Sequence, residues 1–256
     1  MYPRWLCLAG RLLCAQIFAV TLIASAVANT LPPSPDHVLL KHVGLRLAKH
    51  QPLRIIAFGS SSTEGVGASS PAANYPNRLQ ADLTATLPAS QQITVLNRGI
   101  GGEDADDMAI RLSDVIAERP DLIIWQTGSN DPLRAVPIAR FVQETIVGVQ
   151  QIRAANIDVM LMEPQLCHML DHKADAVLYR NALRAIGEGM NVPVIRRYDL
   201  MLHWLADGAL TPAQMLSPDG LHMADGGYAR LARVIATDIL HLSQPPRLAM
   251  DDTPRH

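Results

Sequence analysis

Cysteine is scarce in this 256-residue chain: there are three, and Cys7 and Cys14 both sit at the extreme N-terminus. That leaves Cys167 alone in the body of the sequence, which excludes a disulfide framework and makes the cysteine count silent about redox compartment. Charge of one sign is also missing. The formal net charge is -2 with no long like-charge run, so there is no basic stripe to neutralise phosphates and no nucleic-acid partner is expected. Aromatic residues make up only 4% of the chain, which does not advertise a stacking platform for sugars. Internal repeats and low-complexity blocks are absent. A chain of this length suits one α/β domain with a sizeable core.

Long hydrophobic runs are lacking too. The uncharged stretch Leu12 to Ala24 falls short of the roughly 20 residues a bilayer span needs. With Arg4 and Arg11 in front and Ala26-Val27-Ala28 behind, it reads as an export signal over residues 1–28, cut before Asn29. An uncleaved anchor is the alternative. With the signal removed, no stable membrane span is expected, and the mature protein is expected to be periplasmic or secreted.

Beyond the signal the chain is regular. Residues 29–50 comprise a proline-bearing linker and a segment with helical apolar spacing from His37 to Lys49. Short, nearly continuous apolar runs then appear at Leu53–Phe58, Ile93–Leu96, Leu122–Trp125, Ile157–Met162 and Val192–Ile195. Segments with helical periodicity separate them, at Tyr75–Leu87, Asp104–Ala117, Ile138–Ala155 and Asp175–Gly189, and a further one spans Gly226–Leu242. Alternation of this kind predicts a five-stranded parallel sheet covered on both faces, a three-layer α/β/α sandwich over residues 51–243. Active groups are then expected at the carboxyl ends of the strands. Residues 244–256 read as a disordered tail, and Arg196-Arg197 as a solvated pair.

Polar residues gather in the turns after the strands. The first run ends in Phe58-Gly59-Ser60-Ser61-Ser62-Thr63-Glu64-Gly65, where a serine on a tight strand-to-helix turn can project its hydroxyl from the sheet rim. The second ends in Asn97-Arg98-Gly99-Ile100-Gly101-Gly102-Glu103-Asp104. That turn resembles a dinucleotide fingerprint only superficially, because Asp104 takes the third position and a carboxylate there would repel a pyrophosphate. Glycine N–H groups offered to an oxyanion fit it better. The third ends in Thr127-Gly128-Ser129-Asn130-Asp131, and Ser217-Pro218-Asp219-Gly220-Leu221-His222 precedes the last helix. A carboxylate three residues before a histidine can bend back and hold one imidazole nitrogen, leaving the other to deprotonate a serine. Each turn alone has an ordinary reading as a cap or a turn. In this order they supply what acyl transfer needs: nucleophile, oxyanion donors, base and base-orienter.

The blocks FGSSST, NRGIGG, GSND and SPDGLH, in that order from Phe58 to His222, resemble the main sequence blocks of the SGNH hydrolases, also called GDSL-type esterases and lipases. The resemblance implies a flavodoxin-like sandwich and a serine esterase requiring no metal or organic cofactor. It implies Ser61 as nucleophile, His222 as base and Asp219 as its partner. The oxyanion hole would be the N–H groups of Ser61 and Gly102 with the side-chain amide of Asn130. One departure stands out: the family often has aspartate before the nucleophile, and this chain has Ser60. The GSSST form looks like a bacterial subgroup. The expected substrate is a small-molecule, glycan or lipid ester, with short acyl groups favoured because no lid-like insertion separates the strands.

Other readings remain. His168 and His172, four residues apart, would share a helix face and could bind zinc, although Glu163-Pro164-Gln165 before them reads better as a substrate-lining loop. A Cys167 nucleophile is disfavoured because chain neighbours such as His168 seldom face each other. An acyltransferase using the same acyl-enzyme and a noncatalytic glycan- or lipid-binding module are the alternatives of other classes.

Overall fold

The computed structural model describes residues 40–244; the expected signal, most of the linker and all but the first residue of the expected tail lie outside them. Five parallel strands form one sheet: β1 (Leu53–Gly59), β2 (Ile93–Gly99), β3 (Leu122–Gln126), β4 (Asp158–Met162) and β5 (Val194–Ile195), in the order β2-β1-β3-β4-β5. The register follows from alternation. Ile55 lies beside Val95 and Leu122, while Ile56 lies beside Leu96 and Ile123, so successive side chains fall on opposite faces.

Each face buries its own core. Ile55, Ala57, Ile124 and Met160 pack under three helices, α1 (Lys41–Ala48), α3 (Tyr75–Thr86) and α10 (Asp225–Leu242). Those helices contribute Val43, then Tyr75, Leu79 and Leu83, then Tyr228, Leu231, Ile235 and Ile239, all at helical spacing. On the other face Ile56, Phe58, Ile123, Trp125 and Leu161 meet α4 (Ala105–Ala117), α5 (Ile138–Ala154) and α7 (Ala176–Met190). Strands covered on both sides must be apolar throughout, which is why they read as continuous runs. Local signals fix the helix starts. Asn74 caps α3 by accepting the Asn77 N–H, and Asp104 caps α4 in a reciprocal box with Asp107.

Four expectations needed correction. The helix expected over 37–49 is α1, which starts at Lys41. The last strand is two residues long, not four, because the Val192 N–H turns back to the Gly187 carbonyl and Pro193 has no N–H to give. A helix not anticipated, α8 (Arg197–Ala206), follows it and sends Met201 and Trp204 into the core. Arg197 at its start is fully buried rather than solvated, whereas Arg196 stays exposed and pairs with Asp199. Three four-residue helices also appear: α2 (Ser61–Glu64), α6 (His168–Asp171) and α9 (Pro212–Met215).

Candidate active site

The chain order β1, β2, β3 with β1 between the other two makes β1/β3 the point where the winding reverses, the place where doubly wound sheets hold their ligands, beyond the carboxyl ends of the strands. β1 delivers Ser61 at the first position of α2, β2 delivers the turn around Gly102, and β3 delivers Asn130. Gly99 lets β2 run hard against α2: a Cβ on it would stand 2.1 Å from the Glu64 backbone nitrogen. Gly102 has φ +82°, a left-handed conformation that side chains disfavour.

Ser61 and His222 lie 161 residues apart in sequence, yet His222 Nε2 is 2.9 Å from Ser61 Oγ. His222 Nδ1 is 2.7 Å from Asp219 Oδ2, and the other carboxylate oxygen accepts Ser217 Oγ–H at 2.6 Å and the Leu221 and His222 N–H groups at 2.9 Å each. Slight burial pushes the Asp219 carboxyl upward, but the hydrogen bonds from Ser217, His222 and Leu221 outweigh it and hold the group well below the usual carboxylate range. With Asp219 ionised, the imidazole hydrogen sits on Nδ1 and Nε2 is free to accept.

Asn130 Nδ2 donates to the Glu103 carbonyl at 2.7 Å, and Arg134 donates to the Gly102 carbonyl at 3.1 Å. These two bonds pin the second turn beside the third. They leave Asn130 with a second amide hydrogen. At the first position of α2, the Ser61 N–H has no partner within its own helix. Asp104, whose carboxylate is hostile to a pyrophosphate, is the α4 cap and lies 3.0 Å from Arg134.

The remaining candidates separate. His168 and His172 do meet, Nε2 to Nε2 at 2.7 Å, but among the described residues no group of three or more potential ligands forms. Cys167 is buried, and that burial pushes its thiol up, while His168 is exposed. Glu163 and Gln165 do lie in a loop, after β4, but their side chains are buried. Glu163 takes a fork of hydrogen bonds from Arg184 at 2.6 and 2.8 Å, and Gln165 bonds Arg197 at 2.8 Å.

Sequence reasoning missed the residues that brace the site. Arg111 of α4 pairs with Glu103 and donates to the carbonyls of Arg98 and Gly59, the ends of β2 and β1. Gln126, Ser129 and Gln165 are buried polar side chains linked in series. One signal was available: Gln126 is the polar residue closing the run Leu122-Ile123-Ile124-Trp125, and a polar side chain in a strand covered on both faces must find internal partners.

Comparison with known proteins agrees with this fold. The fold is that of esterases and acylhydrolases. A two-domain esterase active on acetylated mannans, crystallised with mannopentaose, superposes with a TM-score of 0.67 at 21% identity, over 82% of this chain and 55% of that one. This chain thus spans about half of that protein. A lipase/acylhydrolase from Enterococcus faecalis gives 0.62 at 24% identity, over 77% of this chain and 100% of that one. The acetyl xylan esterase AlAXEase gives 0.60 at 24%, over 74% and 98%. No curated protein matches the sequence. The model of the non-GDSL lipase-like family matches residues 28–242, and the chain belongs to that family.

Proposed function

We propose that this protein is a serine carboxylic-ester hydrolase working through an acyl-enzyme on Ser61, with short, acetyl-like acyl groups as substrate. The observation that carries the reading is the relay Asp219–His222–Ser61, with links of 2.7 and 2.9 Å. Ser61 Oγ attacks the ester carbonyl as its proton passes to His222 Nε2. Asp219 holds the ring and balances the imidazolium that forms. The N–H groups of Ser61 and Gly102 and the Asn130 amide receive the charge developing on the carbonyl oxygen. His222 then protonates the departing alcohol, and water repeats the sequence to free the acid.

Short acyl groups are favoured because the sequence carries no lid-like insertion between the strands, and because proteins of the same fold act on acetylated mannans and acetyl xylan. We further propose export, with residues 1–28 as the signal and the domain over residues 51–243 acting on exported or envelope glycan esters.

The test is hydrolysis of a p-nitrophenyl ester series from acetate to palmitate by protein beginning at Asn29, beside its Ser61→Ala variant. Activity concentrated at acetate and absent from the variant is expected. Activity that persists in Ser61→Ala would overturn the nucleophile, and an optimum at long chains would overturn the acyl class.

A further inference from the structure

Five residues form a head-to-tail chain of hydrogen bonds, buried except for its half-buried last link, beside the relay. Ser60 donates from both its backbone N–H and its Oγ to Gln126 Oε1, at 2.9 and 3.0 Å. Gln126 Nε2 donates to Ser129 Oγ at 3.2 Å, Ser129 Oγ to Gln165 Oε1 at 3.2 Å, and Gln165 Nε2 to the Leu221 carbonyl at 3.1 Å. Ser60, Gln126, Ser129 and Gln165 are each buried.

The polarity of this chain is fixed at both ends, so neither amide can be turned over. The Ser60 N–H can only donate, which sets Gln126 Oε1 toward it. Arg197 can only donate, and its Nη2 lies 2.8 Å from Gln165 Oε1, which leaves Gln165 Nε2 facing Leu221 O, an acceptor. Arg197 itself is anchored by a bond from Nε to the Glu163 carbonyl at 3.0 Å.

The ends of the chain are the residues immediately before the nucleophile and the base, and Ser129 in its middle precedes Asn130. Hydrogen bonds inside the Ser217–His222 loop, such as those made by Asp219, set the loop's shape but not its placement against the sheet. The Leu221–His222 peptide is gripped from two sides: its N–H by Asp219 at 2.9 Å and its carbonyl by Gln165. The Gln165 bond ties that peptide to the end of β4.

We infer that Gln165 is a positioning residue that sets the distance between His222 and Ser61, acting through the Ser60–Gln126–Ser129–Gln165–Leu221 chain. The inference rests on the reading of Ser61 and His222 as nucleophile and base. Serine at position 60 belongs to the same device, since an aspartate there would press a carboxylate onto Gln126 Oε1.

Gln165→Glu tests it. The substitution keeps the shape and an acceptor for Ser129 and Arg197, but it places an oxygen against the Leu221 carbonyl in place of a donor. The readouts are the rate of fluorophosphonate labelling at Ser61, kcat and KM on p-nitrophenyl acetate, and thermal melting. Labelling and kcat are expected to fall about 10- to 100-fold together, as displacements near 1 Å do, with KM within about 2-fold and melting changed by a few degrees at most. Labelling and kcat equal to wild type would overturn the proposal while leaving the nucleophile in place. Wild-type protein that takes no label and cleaves no ester would overturn the reading of the site, and this inference with it. Should Gln165→Glu not fold, Ser129→Ala breaks the middle link with one atom removed; it is expected to slow labelling in the same sense, and an unchanged rate overturns the proposal.

Discussion

The two ends of the sheet use the same residue types to opposite purposes. At the amino ends, Asp121 takes the Arg46 guanidinium at 2.7 Å on one oxygen and the Arg54 N–H at 2.9 Å on the other, while Asp158 accepts the Val43 N–H at 3.0 Å. These carboxylates are spent tying α1 to β1, β3 and β4. At the carboxyl ends, Asp219 is equally well bonded, but the last member of its relay is the Ser61 hydroxyl. One cavity, about 560 Å³ and lined by His42, Lys49, Arg119 and Asp121, lies at the amino ends. A smaller one of about 400 Å³ flanks the Ser217–Asp219 loop. A cavity therefore does not by itself mark the reactive end. What marks it is a bonded acid and base whose chain of hydrogen bonds stops at a nucleophile.

The largest expected effect breaks this contrast outright. Ser61→Ala should lower kcat on p-nitrophenyl acetate by about 10⁵-fold or more, with no loss of thermal stability, because the hydroxyl is only half-buried. Asn130→Ala comes next. It removes one oxyanion donor together with the bond to the Glu103 carbonyl, and kcat should fall on the order of 10²–10³-fold. An Asn130→Ala enzyme within a few-fold of wild type in steady-state kinetics would remove Asn130 from the oxyanion hole.

The amino end should answer differently. Asp121→Ala strands the Arg54 N–H and frees Arg46, which should cost about 1–3 kcal/mol in urea unfolding. Its kcat, measured well below the melting temperature, should stay at the wild-type value. A matching loss of kcat would mean that the two ends are coupled and that no division of labour separates them.

How much of this contrast is legible in the sequence depends on the kind of interaction. The five strands and the helices facing them were legible because each covers a continuous apolar surface, and the meeting of Ser61, Asp219 and His222 was foreseeable because a strand-end turn and a pre-helix turn carry them in the order acyl transfer requires. Helix α8 was not legible. Its first residue, Arg197, is charged and buried, with burial pushing its guanidinium down to about 10, and only tertiary partners such as the Glu163 carbonyl make that position tolerable. The buried role of Gln165 was not legible for the same reason: its partners Ser129, Arg197 and Leu221 lie 36, 32 and 56 residues away, and no local pattern records them.

The narrowest expected effect, confined to the alkaline side, concerns a carboxylate beside the site that is less well satisfied than Asp121. Asp131 is fully buried, accepts the Ala105 N–H at 3.0 Å on Oδ1, and has no partner for Oδ2. Burial is the main cause that pushes its carboxyl up to about 6, against the hydrogen bonds that lower it. The folded protein therefore holds a proton here that the unfolded chain has released. The stabilisation this gives is fully present below about pH 4 and is lost as pH rises through about 6. Asp131→Asn keeps the acceptor for Ala105 and never ionises. In urea unfolding across pH 4 to 8, the variant should match wild type at the acid end and exceed it by about 1–3 kcal/mol at the alkaline end. A difference that stays constant across that range would mean that Asp131 ionises as readily in the folded protein as in the unfolded one. The contrast between Asp131 and the better-bonded Asp121 would then fail.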